Sequence, residues 1–282
     1  MIKNVNINYK IIYQFISLFT LIFFNLYYSF INANKISVII PTYNREKLIV
    51  KSIKSVLNQT YRNFEIIIID DCSSDNTINE INKLKDNRIR YIKIRKNKGA
   101  NFCRNLGIKK STGEYISFLD SDDIYYFNKL EKQIKNIKKN KSNFDFCKFS
   151  IYINNKNNRF NLTLPNSFQV KNIINGKILD ELCKGNFIST QSIIINKKIL
   201  NKYLFDIKMP RLQDYDLILR IIPKVKMSFT NEVLVDLFIQ NDSIGSSLLK
   251  LENAIPIILI ILKNLKNNII NKYLFLLKYI II

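Results

Sequence analysis

Phe64-Glu65-Ile66-Ile67-Ile68-Ile69 is followed without a break by Asp70-Asp71-Cys72-Ser73-Ser74-Asp75. A run this apolar suits a strand covered on both faces, as in a parallel sheet. Its abrupt polar end marks where the strand leaves the core. The same grammar repeats on either side. Lys35–Ile40 is an apolar strand ending in Pro41-Thr42-Tyr43-Asn44. Asn44 is placed to cap a helix from Arg45 to about Leu57, with Leu48, Ile49, Ile53, Val56 and Leu57 on one stripe. A helix is expected after Asp75 to about Leu84, then a strand over Arg88–Ile94 and a helix from about Asn101 to Lys109. The turn Ser111–Glu114 leads into the strand Tyr115–Leu119. This β-α-β-α-β-α-β alternation predicts an α/β fold: a doubly wound, mostly parallel sheet with helices on both faces.

In such sheets ligands bind beyond the carboxyl ends of the strands. Three strands here end in polar clusters: Pro41–Asn44, Asp70–Asp75 and Asp120-Ser121-Asp122-Asp123. The last puts three carboxylates in four positions. Like charges so close repel, which favours a divalent cation among them, Mg²⁺ or Mn²⁺, shared with phosphates. Taken alone, the same four residues read better as an acidic turn capping the next helix; it is their company on the same sheet edge that favours a site. Histidine is absent, so proton transfer and metal binding fall to carboxylates. Cys72, Cys103, Cys147 and Cys183 are widely spaced with no C-x-x-C, as for free thiols of a reducing compartment. The net charge of +22 favours anionic partners such as nucleotides, nucleic acid or a phosphate-bearing membrane. Lys, Asn and Ile are abundant throughout, which weakens that charge as a specific signal. No RNA-binding motif or aromatic-basic interleaving supports nucleic acid.

Six ordered blocks resemble family 2 glycosyltransferases of the GT-A fold. They are Ser37–Arg45 (SVIIPTYNR), Asn58–Tyr61 (NQTY), Ile69–Asp75 (IDDCSSD), Asn97–Ala100 (NKGA), Arg104-Asn105, and Ser111–Asp123 (STGEYISFLDSDD). The match is dense from Lys35 to about Leu130 and thinner beyond. The resemblance implies an inverting, metal-assisted transferase of hexosyl type that uses a nucleotide-sugar, usually a UDP-sugar, with Mn²⁺ or Mg²⁺. By position it implies that Pro41, Thr42 and Tyr43 border the nucleotide, with Tyr43 available to stack on the base. It implies that Asp71 accepts from the uracil ring N–H, that Asp70 supports the loop, and that Arg104 approaches the nucleotide or phosphates. Asp122 would contact ribose or metal, and Asp123 would ligate the metal. Gln213-Asp214-Tyr215-Asp216-Leu217-Ile218-Leu219-Arg220 resembles the family's Glu-Asp-x-Asp-Leu-x-Leu-Arg block. It implies Asp214 as general base, with Gln213 where Glu is commoner. The competing account of Asp214 is a helix N-terminal charge favoured by the dipole.

The chain divides in this reading into an N-terminal apolar segment (1–34), a transferase domain (35–240) and a basic, apolar tail (241–282). The domain splits into a nucleotide-sugar half (35–130) and an acceptor half (131–240). The run Ile11–Ile31 is long enough for a bilayer core of roughly 30 Å. It is read as a membrane anchor, and the excess of Lys and Arg after it keeps the main domain on the cytoplasmic side. Phe144–Ile153 is expected as a strand, Asn154–Asn166 as a surface loop and Gln191–Ile195 as a strand. Gly185–Gln191 either lines the acceptor site or is an ordinary loop. Residues 254–262 and 273–282 are apolar stretches broken by lysines, suited to an anionic leaflet, to packing on the domain or to an oligomer contact. The expected partners are a nucleotide-sugar donor, a glycan or lipid-linked acceptor and a membrane. Two other functions compete: a nucleotidyltransferase of related fold, and a non-catalytic nucleotide-sugar-binding relative.

Overall fold

A computed structural model describes residues 34–239 except 156–157, 183 and 210–211; of 153–161 it describes the backbone alone. The expected membrane segment 11–31 and the tail 241–282 lie outside these residues. Among the described residues no helix is long and apolar enough to cross a membrane.

The first four strands are β1 (Ile36–Thr42), β2 (Phe64–Asp70), β3 (Ile89–Lys93) and β4 (Tyr115–Phe118). They pair in parallel in the order β3-β2-β1-β4. Helices α1 (Ile49–Leu57), α2 (Thr77–Asn82) and α3 (Ala100–Lys110) connect them. The predicted doubly wound α/β architecture is therefore present. Its order reverses between β1 and β4, the position at which a crevice opens beyond the strand ends.

The period-2 geometry of the strands sorts their side chains between two cores. Val38, Ile40, Ile66 and Ile68 face α1 and helix α4 (Lys129–Asn140). On β1 the intervening Ile39 faces the opposite core with Ile108 of α3, while on β2 Ile67 and Ile69 pack with Cys103 of α3. All seven of these strand residues are fully buried. At about 1.5–3 kcal/mol per buried aliphatic side chain, this two-sided burial is the main force holding the sheet flat between its helices. Glu65 breaks the apolar run at the far end of β2, where it accepts from Ser37 Oγ at 2.6 Å and from the Thr112 N–H and Oγ1 at 2.7 Å each.

The later strands extend the same sheet with mixed polarity. The order continues β4-β8-β6-β9-β5, with β7 on the outer edge of β6. Here β5 is Ile124–Tyr125, β6 Phe144–Asn155, β7 Asn158–Leu164, β8 Ile193–Asn196 and β9 Met227–Ile239. Antiparallel β8 joins β4 to β6, and β9 pairs with β6 in parallel. Helices α5 (Ser167–Ile174), α6 (Ile178–Leu182), α7 (Lys197–Leu200) and α8 (Gln213–Ile221) cover the face opposite α1 and α4.

Three local expectations need correction. Asn44 does not cap α1: the helix starts four residues later, behind Leu48, without a side-chain cap. Asn44 instead has a left-handed backbone (φ 49°), and its side chain accepts from the Ser74 N–H at 2.9 Å. The span Asn154–Asn166 is not a loop: its backbone ends β6 and forms β7, which pairs with β6 in antiparallel. Gln191 precedes β8 on a 3₁₀ turn, Thr190–Ser192, and is not part of the strand.

Candidate functional site

The loops after β1, β2 and β4 meet at the reversal point and are fastened to one another by polar contacts. Asp70 receives the Ser73 N–H at 2.7 Å and the Tyr91 hydroxyl, and so braces the turn after β2. Asp71 follows β2 and donates its own N–H to the Thr42 carbonyl at 2.8 Å. Its carboxylate takes the Lys98 and Gly99 N–H groups at 2.7 and 2.8 Å, fixing the entry to α3. Gly99 has φ +83°, a conformation that favours glycine there. Cys72, between the two polar stretches, holds a left-handed φ of 70°. Such strain persists where the surroundings over-determine the backbone. Burial beside Asp71 pushes the Cys103 thiol up to about 12, so it is a neutral packing group.

The expected nucleotide rim is assembled on this frame. Pro41 is buried in β1 opposite Ile69. Thr42 ends the strand with a buried Oγ1 that has no hydrogen-bond partner. Tyr43 is 47% exposed and offers an aromatic face. Arg104, buried on α3, donates from Nη2 to Asp120 at 2.7 Å, while its buried Nε has no partner. Ser189 Oγ is likewise buried and unpartnered. These three buried polar atoms are available to accept or donate to a group bound at this edge.

The acid cluster after β4 is not uniform. Asp123 is 4% exposed, and its oxygens accept from Gln191 Nε2 at 2.7 Å and the Phe238 N–H at 2.9 Å. Burial, then the charges of Asp120 and Asp122, push its carboxyl well above the usual range. Asp120 is engaged by Arg104 and by Gln191 at 2.8 Å. Asp122 is half-buried and more open than Asp123. Both expected metal ligands lie at this edge, Asp122 the more open and Asp123 turned towards Gln191 and Phe238. Among the described residues no three His, Cys, Asp or Glu side chains form a metal-holding group. A divalent ion held by one or two carboxylates fits these residues, because Mg²⁺-type ions keep waters and phosphate oxygens as their other ligands.

Asp214 sits in the first turn of α8, behind Leu212 with its left-handed φ of 54°. Its oxygens accept from the Tyr215 N–H at 2.8 Å and Asn186 Nδ2 at 3.0 Å. Burial raises its pKa even though Tyr215, Arg104 and Asn186 favour the charged form. The charges of Arg104 and Asp120 both act on it, so the base candidate and the acid cluster share one electrostatic site. Asp216 in the same block is fully buried and pairs with Arg220 at 2.6 Å. Gln191 and Asn186 also reach the site, through Asp120, Asp123 and Asp214. Both lie in Gly185–Gln191, the segment expected either to line the acceptor site or to be an ordinary loop.

A crevice at the sheet reversal, rimmed by an aromatic, a buried Asp, a buried Arg and an acid cluster, defines a nucleotide-binding α/β protein. The sequence profile of Glycosyl transferase family 2 matches residues 37–204, and the chain belongs to that family. WfgD of Escherichia coli, named a UDP-Glc:alpha-D-GlcNAc-diphosphoundecaprenol beta-1,3-glucosyltransferase, is 37% identical over 197 residues, 70% of this chain and 73% of that protein. The chain spans about a fifth of the length of the Rickettsia glycosyltransferases it matches at 44–54% identity (16–23% of each). Among solved structures, TarS of S. aureus in complex with UDP-GlcNAc aligns with TM-score 0.69 at 23% identity, over 85% of this chain and 71% of that one. The mannosyltransferase PcManGT of Pyrobaculum calidifontis, in complex with GDP-Man and Mn²⁺, aligns with TM-score 0.61 at 15% identity, over 82% and 64%. These two likenesses establish the GT-A type fold.

Proposed function

We propose that the chain transfers a sugar from a nucleotide-sugar, a UDP-sugar, to a hydroxyl of a glycan or lipid-linked acceptor, with inversion at the anomeric carbon. The observation that carries the proposal is the placement of Arg104. It contacts Asp120 of the acid cluster, and its charge acts on Asp214, so the leaving-group end and the base end of the site adjoin. Tyr43 and Asp71 border the base, Thr42 lies beside the nucleotide, and Arg104 faces the diphosphate. Asp122, with Asp123 behind it, would hold Mn²⁺ or Mg²⁺. That ion, when bound, offsets the charge that grows on the diphosphate as it leaves. Asp214 takes the proton of the attacking acceptor hydroxyl onto a carboxylate oxygen. Its raised pKa suits a base working near neutral pH. The acceptor hydroxyl attacks the anomeric carbon on the face away from the diphosphate, so that bond forms as the sugar–phosphate bond breaks.

A lipid-linked acceptor and a membrane-associated chain with its catalytic part on the cytoplasmic side are part of this proposal. The apolar run 11–31 supports them, as does the diphosphoundecaprenol in WfgD's name. The test is incubation of the full chain with a panel of UDP- and GDP-sugars and Mn²⁺, with and without EDTA. Metal-dependent release of the nucleoside diphosphate is the expected result. Pyrophosphate turnover would assign the chain to nucleotidyl transfer instead, and binding without turnover would make it a non-catalytic relative.

A further inference from the structure

Gln191 belongs to the later part of the chain, yet it touches two carboxylates of the cluster after β4. Its Nε2 lies 2.8 Å from Asp120 Oδ2 and 2.7 Å from Asp123 Oδ2. One amide nitrogen carries two hydrogens, so each carboxylate receives one. A neutral group thus fixes the spacing of the two carboxylates without adding charge, while Arg104 pairs with Asp120 from the other side.

The turn that carries Gln191 is itself held from behind. The Ser192 carbonyl accepts from Gln133 Nε2 at 2.9 Å, and Ser192 Oγ donates to the Ser189 carbonyl at 2.7 Å. Gln133 Nε2 also donates to Asp145 at 2.9 Å, while Gln133 Oε1 accepts from Lys129 Nζ at 2.7 Å. Gln133, Asp145, Lys129 and Ser192 are all fully buried. A satisfied buried polar network of this kind is rigid, because each member would lose its partner in a dry environment if it moved.

We propose that Gln191 is a positioning residue for the diphosphate end of the donor site. By clamping Asp120 and Asp123 at one spacing, it presents the intervening Asp122 to a divalent cation. The inference rests on the reading that this cluster receives a nucleoside diphosphate. It goes further in assigning a donor-site task to a side chain from outside the motif-bearing strands.

The test measures UDP affinity of the full chain by calorimetry with and without MnCl₂, alongside the ligand-free Tm. The readout is the factor by which Mn²⁺ tightens UDP binding. Gln191→Met keeps the length and removes both donors, and should cut that factor about tenfold, with a fall in Tm because the buried Asp123 carboxylate loses a donor. Gln191→Asn keeps the amide but is too short to reach both carboxylates, and should cut it about threefold. A merely structural role would lower Tm and leave the Mn²⁺ factor at its wild-type value. A folded Gln191→Met variant with the wild-type factor overturns the proposal. If that variant does not fold, an unchanged factor in Gln191→Asn overturns it. Failure of the wild-type chain to bind either UDP or GDP, with or without Mn²⁺, overturns the site reading and this inference together.

Discussion

The half built on β1–β4 and the half built on β6–β9 reach the same crevice by different routes. In the first, each polar cluster is the direct continuation of an apolar strand: Thr42–Asn44 after β1, Asp70–Asp75 after β2, Asp120–Asp123 after β4. Chain order places them at one edge because parallel strands all end there. In the second half the contributing groups come from a 3₁₀ turn (Gln191), a loop (Asn186) and a helix start (Asp214). Contacts with the first half put them in place. Asn101 of α3 donates to the Asp206 carbonyl at 2.8 Å, and Asn105 exchanges hydrogen bonds with Phe205 at 2.9 and 3.0 Å. These clamps set the segment that leads into α8. The lesson is a division of labour: the first half carries the proposed donor groups on its own backbone, and the second, pinned onto it, carries the proposed base.

The largest test of that division is Asp214→Asn. It should lower transfer by about 10²–10⁴-fold while leaving UDP affinity unchanged, as read by single-turnover assay beside calorimetry. Equal loss of binding would merge the two roles. The pH profile sharpens the same point. With Asp214 as the proposed base, transfer requires its ionised form, so the acid limb of the rate profile should lie above the range of an ordinary carboxylate, because burial raises its pKa.

Asp122→Asn should do the reverse, weakening Mn²⁺-dependent UDP binding by about 100-fold. An effect confined to turnover would place the donor groups elsewhere. Asp71→Asn comes next. The new amide cannot accept both N–H groups that the carboxylate now holds, so stability should fall by about 1–3 kcal/mol in denaturant melts and UDP affinity by about tenfold.

The smallest effect belongs to the seam. Lys129 of α4 reaches Ser117 of β4 at 3.2 Å and, through Gln133, Asp145 of β6. Burial lowers its pKa from 10.5 to about 8. Between those two values the unfolded chain holds a proton that the folded one has lost, so stability should rise with pH across that window. Lys129→Met should remove the rise, leaving the rest of the stability–pH curve parallel to wild type. Melts from pH 7 to 11 decide it, and a slope that persists would show that another group at the seam titrates there.

Much of the first half was legible because its signals are local. Four apolar strands, three connecting helices and the acid loops all follow from residues adjacent in the chain, and only fine placement failed, as with Asn44. The second half was less so. β7 falls in a span expected as a loop: Phe160, Leu162 and Leu164 do alternate with Asn161 and Thr163, but the Asn-rich sequence around them carries the composition of a loop. What each carboxylate of the acid loop faces was not legible, because a motif gives residue order without orientation.

The sequence alone determined that a doubly wound sheet would form with its carboxylates at the strand ends, since apolar runs of that length are stable only when covered on both faces. The tertiary structure alone decided what each carboxylate faces. Asp71 holds two backbone N–H groups, Asp123 turns inward to Gln191 and Phe238, and Asp214 is half-buried where Arg104 and Asp120 act on it. The physical reason is range: hydrophobic patterning is written residue by residue, whereas a carboxylate's burial and partners depend on groups far away in the chain.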